Sequence, residues 1–91
     1  MDRFLLKIYG RVQGIGYRWF VVEQAIKYNL LGWVKNCDDG SVECAVKGLR
    51  ENIEKFIVDI KTKHPIARVE KIEINDCPST VEFPQNFCIK R

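Results

Sequence analysis

The strongest constraint on this chain is that its apolar period changes from two to about 3.6 and back, twice, within 91 residues. From Phe4 to Val12, Leu6, Ile8, Gly10 and Val12 alternate with Leu5, Lys7, Tyr9 and Arg11, which predicts a half-buried strand. From Tyr17 the spacing becomes helical through Tyr17, Val21, Ala25 and Tyr28, widened by Val22 and Ile26, until Asn29-Leu30-Leu31-Gly32 closes the segment. Residues Trp33–Asn36 and Ser41–Lys47 flank Cys37-Asp38-Asp39-Gly40, a turn sequence that predicts two antiparallel strands. Ile53, Phe56, Ile57 and Ile60 then mark the clearest helix, which His64-Pro65 stops. Ala67 to Ile74 reads as a strand with an irregularity near Glu70-Lys71. A Cys77-Pro78-Ser79-Thr80 turn leads to a last extended piece, Phe87-Cys88-Ile89.

The order is therefore β-α-β-β-α-β with a short C-terminal fifth strand. Two helices of this size cover one face of such a sheet, so the expected fold is α+β: a two-layer α/β sandwich, ferredoxin-like, with a mostly antiparallel sheet. At this length residues 1–91 are expected to form a single domain. Because this fold hosts carriers, RNA binders, regulatory modules and enzymes, function must come from a site.

Composition narrows the classes. A net charge of +3 with both signs interspersed suits a small anion better than a nucleic acid, which calls for a concentrated basic footprint. The third strand, Ser41 to Lys47, has no aromatic residue with which an RNA-binding sheet would stack bases. No apolar run is long enough to span a bilayer, and charges at Asp2, Arg3 and Lys7 interrupt any signal-peptide core. The expected location is the cytoplasm, with no membrane or nucleic-acid partner. Cys37, Cys44, Cys77 and Cys88 are expected to be free thiols; Cys77 and Cys88 could approach one another, but spacing does not decide a disulfide. With no Cys-x-x-Cys pair and one histidine, His64, a metal site is not expected. His64 itself reads as a surface or helix-end residue. Trp19, Phe20 and Trp33 are expected to pack in the core, with lining of a ligand entrance the other role open to them.

The most informative segment is Gly10-Arg11-Val12-Gln13-Gly14-Ile15-Gly16-Tyr17-Arg18, where the first strand hands over to the first helix. Glycines there let successive N–H groups turn inward, the helix N-terminus adds partial positive charge, and Arg18 can grip an oxyanion through two parallel hydrogen bonds. Taken alone, the loop also reads as a tight turn with Arg18 on a solvated face. Nucleotide motifs do not fit: Trp19 stands where a third glycine would be, and no Gly-Lys-Ser or Gly-Lys-Thr follows.

This segment resembles the first signature of the acylphosphatase family, Gly-x-Val-Gln-Gly-Val-x-Phe/Tyr-Arg, with Ile15 in place of the usual valine. The family's second signature is matched by Gly32-Trp33-Val34-Lys35-Asn36, followed by Gly40, Val42 and Gly48. The resemblance implies the ferredoxin-like fold and hydrolysis of acyl phosphates to a carboxylate and inorganic phosphate, by in-line attack of water. Neither a metal, a cofactor nor a covalent intermediate is implied. It assigns Arg18 to phosphate binding and Asn36 to positioning the water, both as catalytic residues, with the phosphate held by Gln13, Gly14, Ile15, Gly16, Tyr17 and Arg18. A monomer with small-molecule ligands is expected.

Two alternatives keep parts of this picture. Cys44 and Arg50 fit Cys-x5-Arg, the spacing of cysteine-dependent phosphatases, although Cys44 falls inside a strand and Glu43 beside it disfavours a thiolate. A non-catalytic acylphosphatase-like module would keep the anion loop and use it for binding alone.

Overall fold

The computed structural model describes residues 1–91. Its elements are β1 (Asp2–Arg11), α1 (Tyr17–Lys27), β2 (Leu31–Asn36), β3 (Val42–Gly48), α2 (Arg50–Thr62), β4 (Arg68–Asp76) and β5 (Phe87–Ile89). They form a five-stranded sheet in the order β4-β1-β3-β2-β5. Every neighbouring pair is antiparallel except β2 with β5, which is parallel. This is the ferredoxin-like sandwich expected from the alternation of periods, with the short fifth strand added beside β2.

The core follows from those periods. Leu6 and Ile8 of β1, Val34 of β2, and Val42, Cys44 and Val46 of β3 are sealed against Tyr17, Val21 and Ala25 of α1 and Ile53, Phe56 and Ile60 of α2. The two helices are also tied by polar contacts: the Tyr17 hydroxyl donates to the Ile60 carbonyl (2.7 Å) and the Tyr28 hydroxyl to the Asp59 carboxylate (2.6 Å). Asp59 is buried and meets Lys63 and Lys27 as well. The Tyr28 hydrogen bond, then Lys63 and Lys27, hold its carboxyl below the usual carboxylate range. Ile26 lies just beyond the buried stripe of α1 and faces solvent, contrary to its placement in the apolar set.

The irregularity expected near Glu70-Lys71 is a bulge. Tyr9 pairs with Lys71 and Gly10 with Val69, so Glu70 has no partner on β1. The extra residue lies on β4, opposite the end of β1 that leads into the glycine loop.

Of the three aromatic residues expected to pack in the core, Trp19 departs from that expectation, whereas Trp33 is buried and Phe20 partly so. Trp33 is buried, but it lies outside the main core cluster, with the Lys35 and Lys90 ammonium groups over its ring. Phe83, beneath Arg3 and Lys47, belongs to the segment between β4 and β5, whose Pro78 carbonyl accepts from Arg3. Trp19 is 64% exposed. Phe20 is half-buried against Tyr17 and His64, their ring centroids 6.1 and 5.1 Å away. His64 is more than a surface residue: its Nδ1 accepts from the N–H groups of Ile66 and Ala67, shaping the turn into β4.

Candidate active site

The glycine loop is organised by what its ends are fixed to. Val12 is buried and anchors the exit from β1, while the buried Tyr17 anchors the start of α1. Between them Gly14 and Gly16 take left-handed backbone angles, φ 77° and 76°, which a side chain would strain even though the space around both is open. Gly16 is the residue that caps α1, so no side chain satisfies the first turn.

The hydrogen-bond pattern shows the consequence. The first N–H of this region to reach a backbone carbonyl is that of Phe20, which donates to Gly16 (3.2 Å); those of residues 13–19 have no such acceptor. A helix start normally leaves its first four N–H groups to a cap, to water or to a ligand. α1 also has no acidic residue in its first turn, whereas α2 has Glu51 there. The positive end of the α1 dipole is therefore uncompensated by the protein.

Arg18 adds a full charge in that turn, makes no ion pair or hydrogen bond within the chain, and is half-buried. Asn36 ends β2, opposite Val42, and begins the hairpin. That hairpin is stiffened by Asp39, which accepts from both the Ser41 hydroxyl and the Ser41 N–H and pairs with Lys7 at 3.2 Å. These contacts, the Ser41 hydroxyl first, lower the Asp39 carboxyl to about 2.

Sequence reasoning placed Gln13 only as a contributor to the loop. Its side chain has a second function: Nε2 donates to the carbonyls of Cys37 (2.9 Å) and Ser41 (2.8 Å), binding the glycine loop to the hairpin that carries Asn36.

Arg18 and Asn36 line one cavity of about 80 Å³, together with Val12, Gly14, Gly16, Tyr17 and Trp19. Four of the six residues expected around phosphate thus share the cavity. Gln13 and Ile15 do not line it; Ile15 packs against the core instead. Tyr17 contributes by its backbone, because its hydroxyl is bound to Ile60 and burial pushes the phenol up. Val12 belongs to the lining and was not expected there, while Trp19 takes the lining role left open for it beside core packing.

The Cys-x5-Arg reading fails on geometry. Cys44 has no exposed surface, and burial first, then Glu43, push its thiol up. Arg50 is held by Asp2 at 2.8 Å. All four cysteines are free, and no three His, Cys, Asp or Glu side chains gather to form a metal site.

Fold and loop together define a class: ferredoxin-like sandwiches whose first strand-to-helix connection offers an open set of N–H groups beside an unpaired arginine. The acylphosphatase family model matches residues 4–89, and the chain belongs to that family. It is 39% identical over 90 residues to an acylphosphatase of Clostridium beijerinckii, covering 99% of both chains. With an acylphosphatase of Thermococcus kodakarensis it shares 44% identity over 69 residues, 76% of each chain. The crystal structure of acylphosphatase from Bacillus subtilis superposes with a TM-score of 0.91 at 35% identity, covering 100% of both chains.

Proposed function

We propose that this chain is an acylphosphate phosphohydrolase, cleaving the mixed anhydride of a carboxylate and phosphate by direct attack of water. The observation that carries the reading is the convergence on one cavity of the uncapped start of α1, the unpaired Arg18 and Asn36. Phosphoryl transfer proceeds through a loose transition state with charge spread over the phosphoryl oxygens, so positioned donors and positive charge supply most of the catalysis. The N–H groups of the loop residues that line the cavity, Gly14, Gly16, Tyr17 and Arg18, and the Arg18 guanidinium meet those oxygens without calling on a metal.

Asn36 orients the attacking water through its carboxamide, on the side opposite the leaving group. An amide is no base near neutral pH, so the water's proton passes to a phosphoryl oxygen or to solvent. The leaving carboxylate needs no proton, because its conjugate acid has a pKa of about 4. Catalysis thus requires no general acid, which fits a cavity lined by no carboxyl, imidazole or thiol. Residues 1–91 act as one unit, and a monomer suffices, since every group named comes from one chain. Four free thiols suit the reducing cytoplasm, and no helix is long and apolar enough to cross a membrane.

The test is phosphate release from benzoyl phosphate by purified protein with a chelator present. Release that Arg18→Ala abolishes supports the reading. Phosphate binding with no turnover by the wild-type chain would instead establish the non-catalytic module.

A further inference from the structure

We propose that Trp19 forms the subsite for the acyl group, and that it favours flat, aromatic acyl phosphates over small aliphatic ones. The inference deepens the reading of the same site given above and rests on it. The cavity holds about 80 Å³, far below the roughly 300–1,000 Å³ of pockets that enclose drug-sized ligands. It accommodates a tetrahedral anion but not an aromatic ring as well. An acyl group attached to a phosphate seated there must project past the rim.

Trp19 is on that rim. It follows Arg18 in the first turn of α1, lines the cavity and remains 64% exposed. Every other aromatic residue of this region is engaged: Tyr17, Phe20 and His64 pack on one another, and Trp33 lies beneath two lysines. Trp19 has neither an aromatic partner nor a cation over its ring. Single exposed apolar residues are ordinary on protein surfaces and need no explanation; an unpartnered indole at the mouth of an anion cavity differs because of what a bound substrate would bring to it. An aromatic acyl group leaving the cavity can stack on the indole, and an acetyl group is too small to cover it.

The experiment compares kcat/KM for benzoyl phosphate and acetyl phosphate in wild type, Trp19→Ala and Trp19→Phe, with the inhibition constant of inorganic phosphate as a control on the cavity. The benzoyl-to-acetyl ratio is expected to fall about tenfold or more in Trp19→Ala and to be largely restored in Trp19→Phe. Phosphate inhibition should keep its wild-type constant. An unchanged ratio overturns the proposal and leaves the hydrolase reading standing, as does weakened phosphate inhibition, which would mark Trp19 as a support for the loop. A wild-type chain that hydrolyses neither substrate overturns the hydrolase reading and this inference with it.

Discussion

Gln13→Glu is the most direct perturbation of how this site is assembled. The wild-type amide donates two hydrogen bonds, 2.9 and 2.8 Å long, to the carbonyls of Cys37 and Ser41. At a net contribution of about 0.5–1.5 kcal/mol each, losing both costs roughly 1–3 kcal/mol, the deficit expected of Gln13→Ala. The glutamate variant loses more at neutral pH, since a carboxylate oxygen would replace the donor and face two carbonyl oxygens. With m of about 1–2 kcal/mol/M for a small protein, a 2 kcal/mol deficit lowers the urea midpoint by about 1–2 M.

The sign with pH separates this account from a simple packing defect. The carbonyls disfavour the ionised form, so the introduced carboxyl has a folded-state pKa above its unfolded value of about 4.3. The destabilisation is therefore full above the folded pKa and shrinks as pH falls through it, because the protonated form can donate one bond again. Urea melts of wild type, Gln13→Ala and Gln13→Glu between pH 4 and 8 check this. Kinetics supply a second reading: with loop and hairpin uncoupled, kcat for benzoyl phosphate should fall by about 10- to 100-fold, the range expected from small misplacements of reacting groups. A Gln13→Glu variant as stable as wild type at pH 7, or less stable by an amount independent of pH, would refute the proposed tie.

Arg18→Ala is expected to lose about 10²–10³-fold in kcat/KM for benzoyl phosphate and to weaken inhibition by phosphate, with Arg18→Lys recovering only part, since an ammonium lacks the planar fork. Asn36→Ala should cut kcat comparably and largely spare phosphate inhibition; most of the wild-type rate surviving in either variant would remove that residue's role. Tyr28→Phe withdraws the leading partner of the Asp59 carboxylate. The stability Asp59 contributes is present above a pH of about 4 and is lost as pH falls through its depressed folded value. The variant should thus have a lower urea midpoint than wild type at pH 7 and approach it near pH 2; an equal deficit at both would refute the assignment. Cys44→Ser places a hydroxyl in a sealed core and should cost about 1–3 kcal/mol by urea titration without loss of turnover. Inactivity in a folded Cys44→Ser protein would contradict the exclusion of thiol chemistry.

What the sequence revealed and what it hid divide along periodicity. Strands and helices with one buried face announce themselves, so the element order and the bulge at Glu70 were readable, and the Asp-Gly step marked the hairpin by its turn chemistry. Both signatures locate the glycine loop and the end of β2, and the fold brings Arg18 and Asn36 to one cavity. For Trp19 the core role was preferred over the entrance role, although its position carried the signal for the latter: two residues beyond Tyr17 is about 200° around the helix, away from the stripe of Tyr17, Val21 and Ala25. Trp33 is different. Alternation with Val34 puts it on the other side of the sheet, where it lines a cavity with Glu82, Phe83 and Pro84 of the irregular segment before β5, which has no period to read. The Gln13 bonds were equally hidden, because contacts between loops far apart in sequence leave no local pattern.

Those hidden contacts explain why the site can be ready before substrate arrives. A loop with left-handed glycines could relax so that its N–H groups met its own carbonyls, and a helix start without a cap has reason to fray. Here Val12 is sealed in the core, Tyr17 is held at Ile60 and Gln13 is held at two carbonyls of the hairpin, so both ends of the loop are fixed. The donors stay exposed because the chain has been denied the conformations that would satisfy them. On the proposed reading, an incoming phosphoryl group would meet donors held in place by those anchors, with little reorganisation left for the transition state to bear. The same rigidity limits the chemistry. With no proton donor in the lining, an alkoxide leaving from a phosphomonoester would depart unprotonated, whereas a carboxylate departs as a stable anion. A selectivity of the proposed site for anhydrides over esters would thus follow from the group it lacks as much as from those it presents.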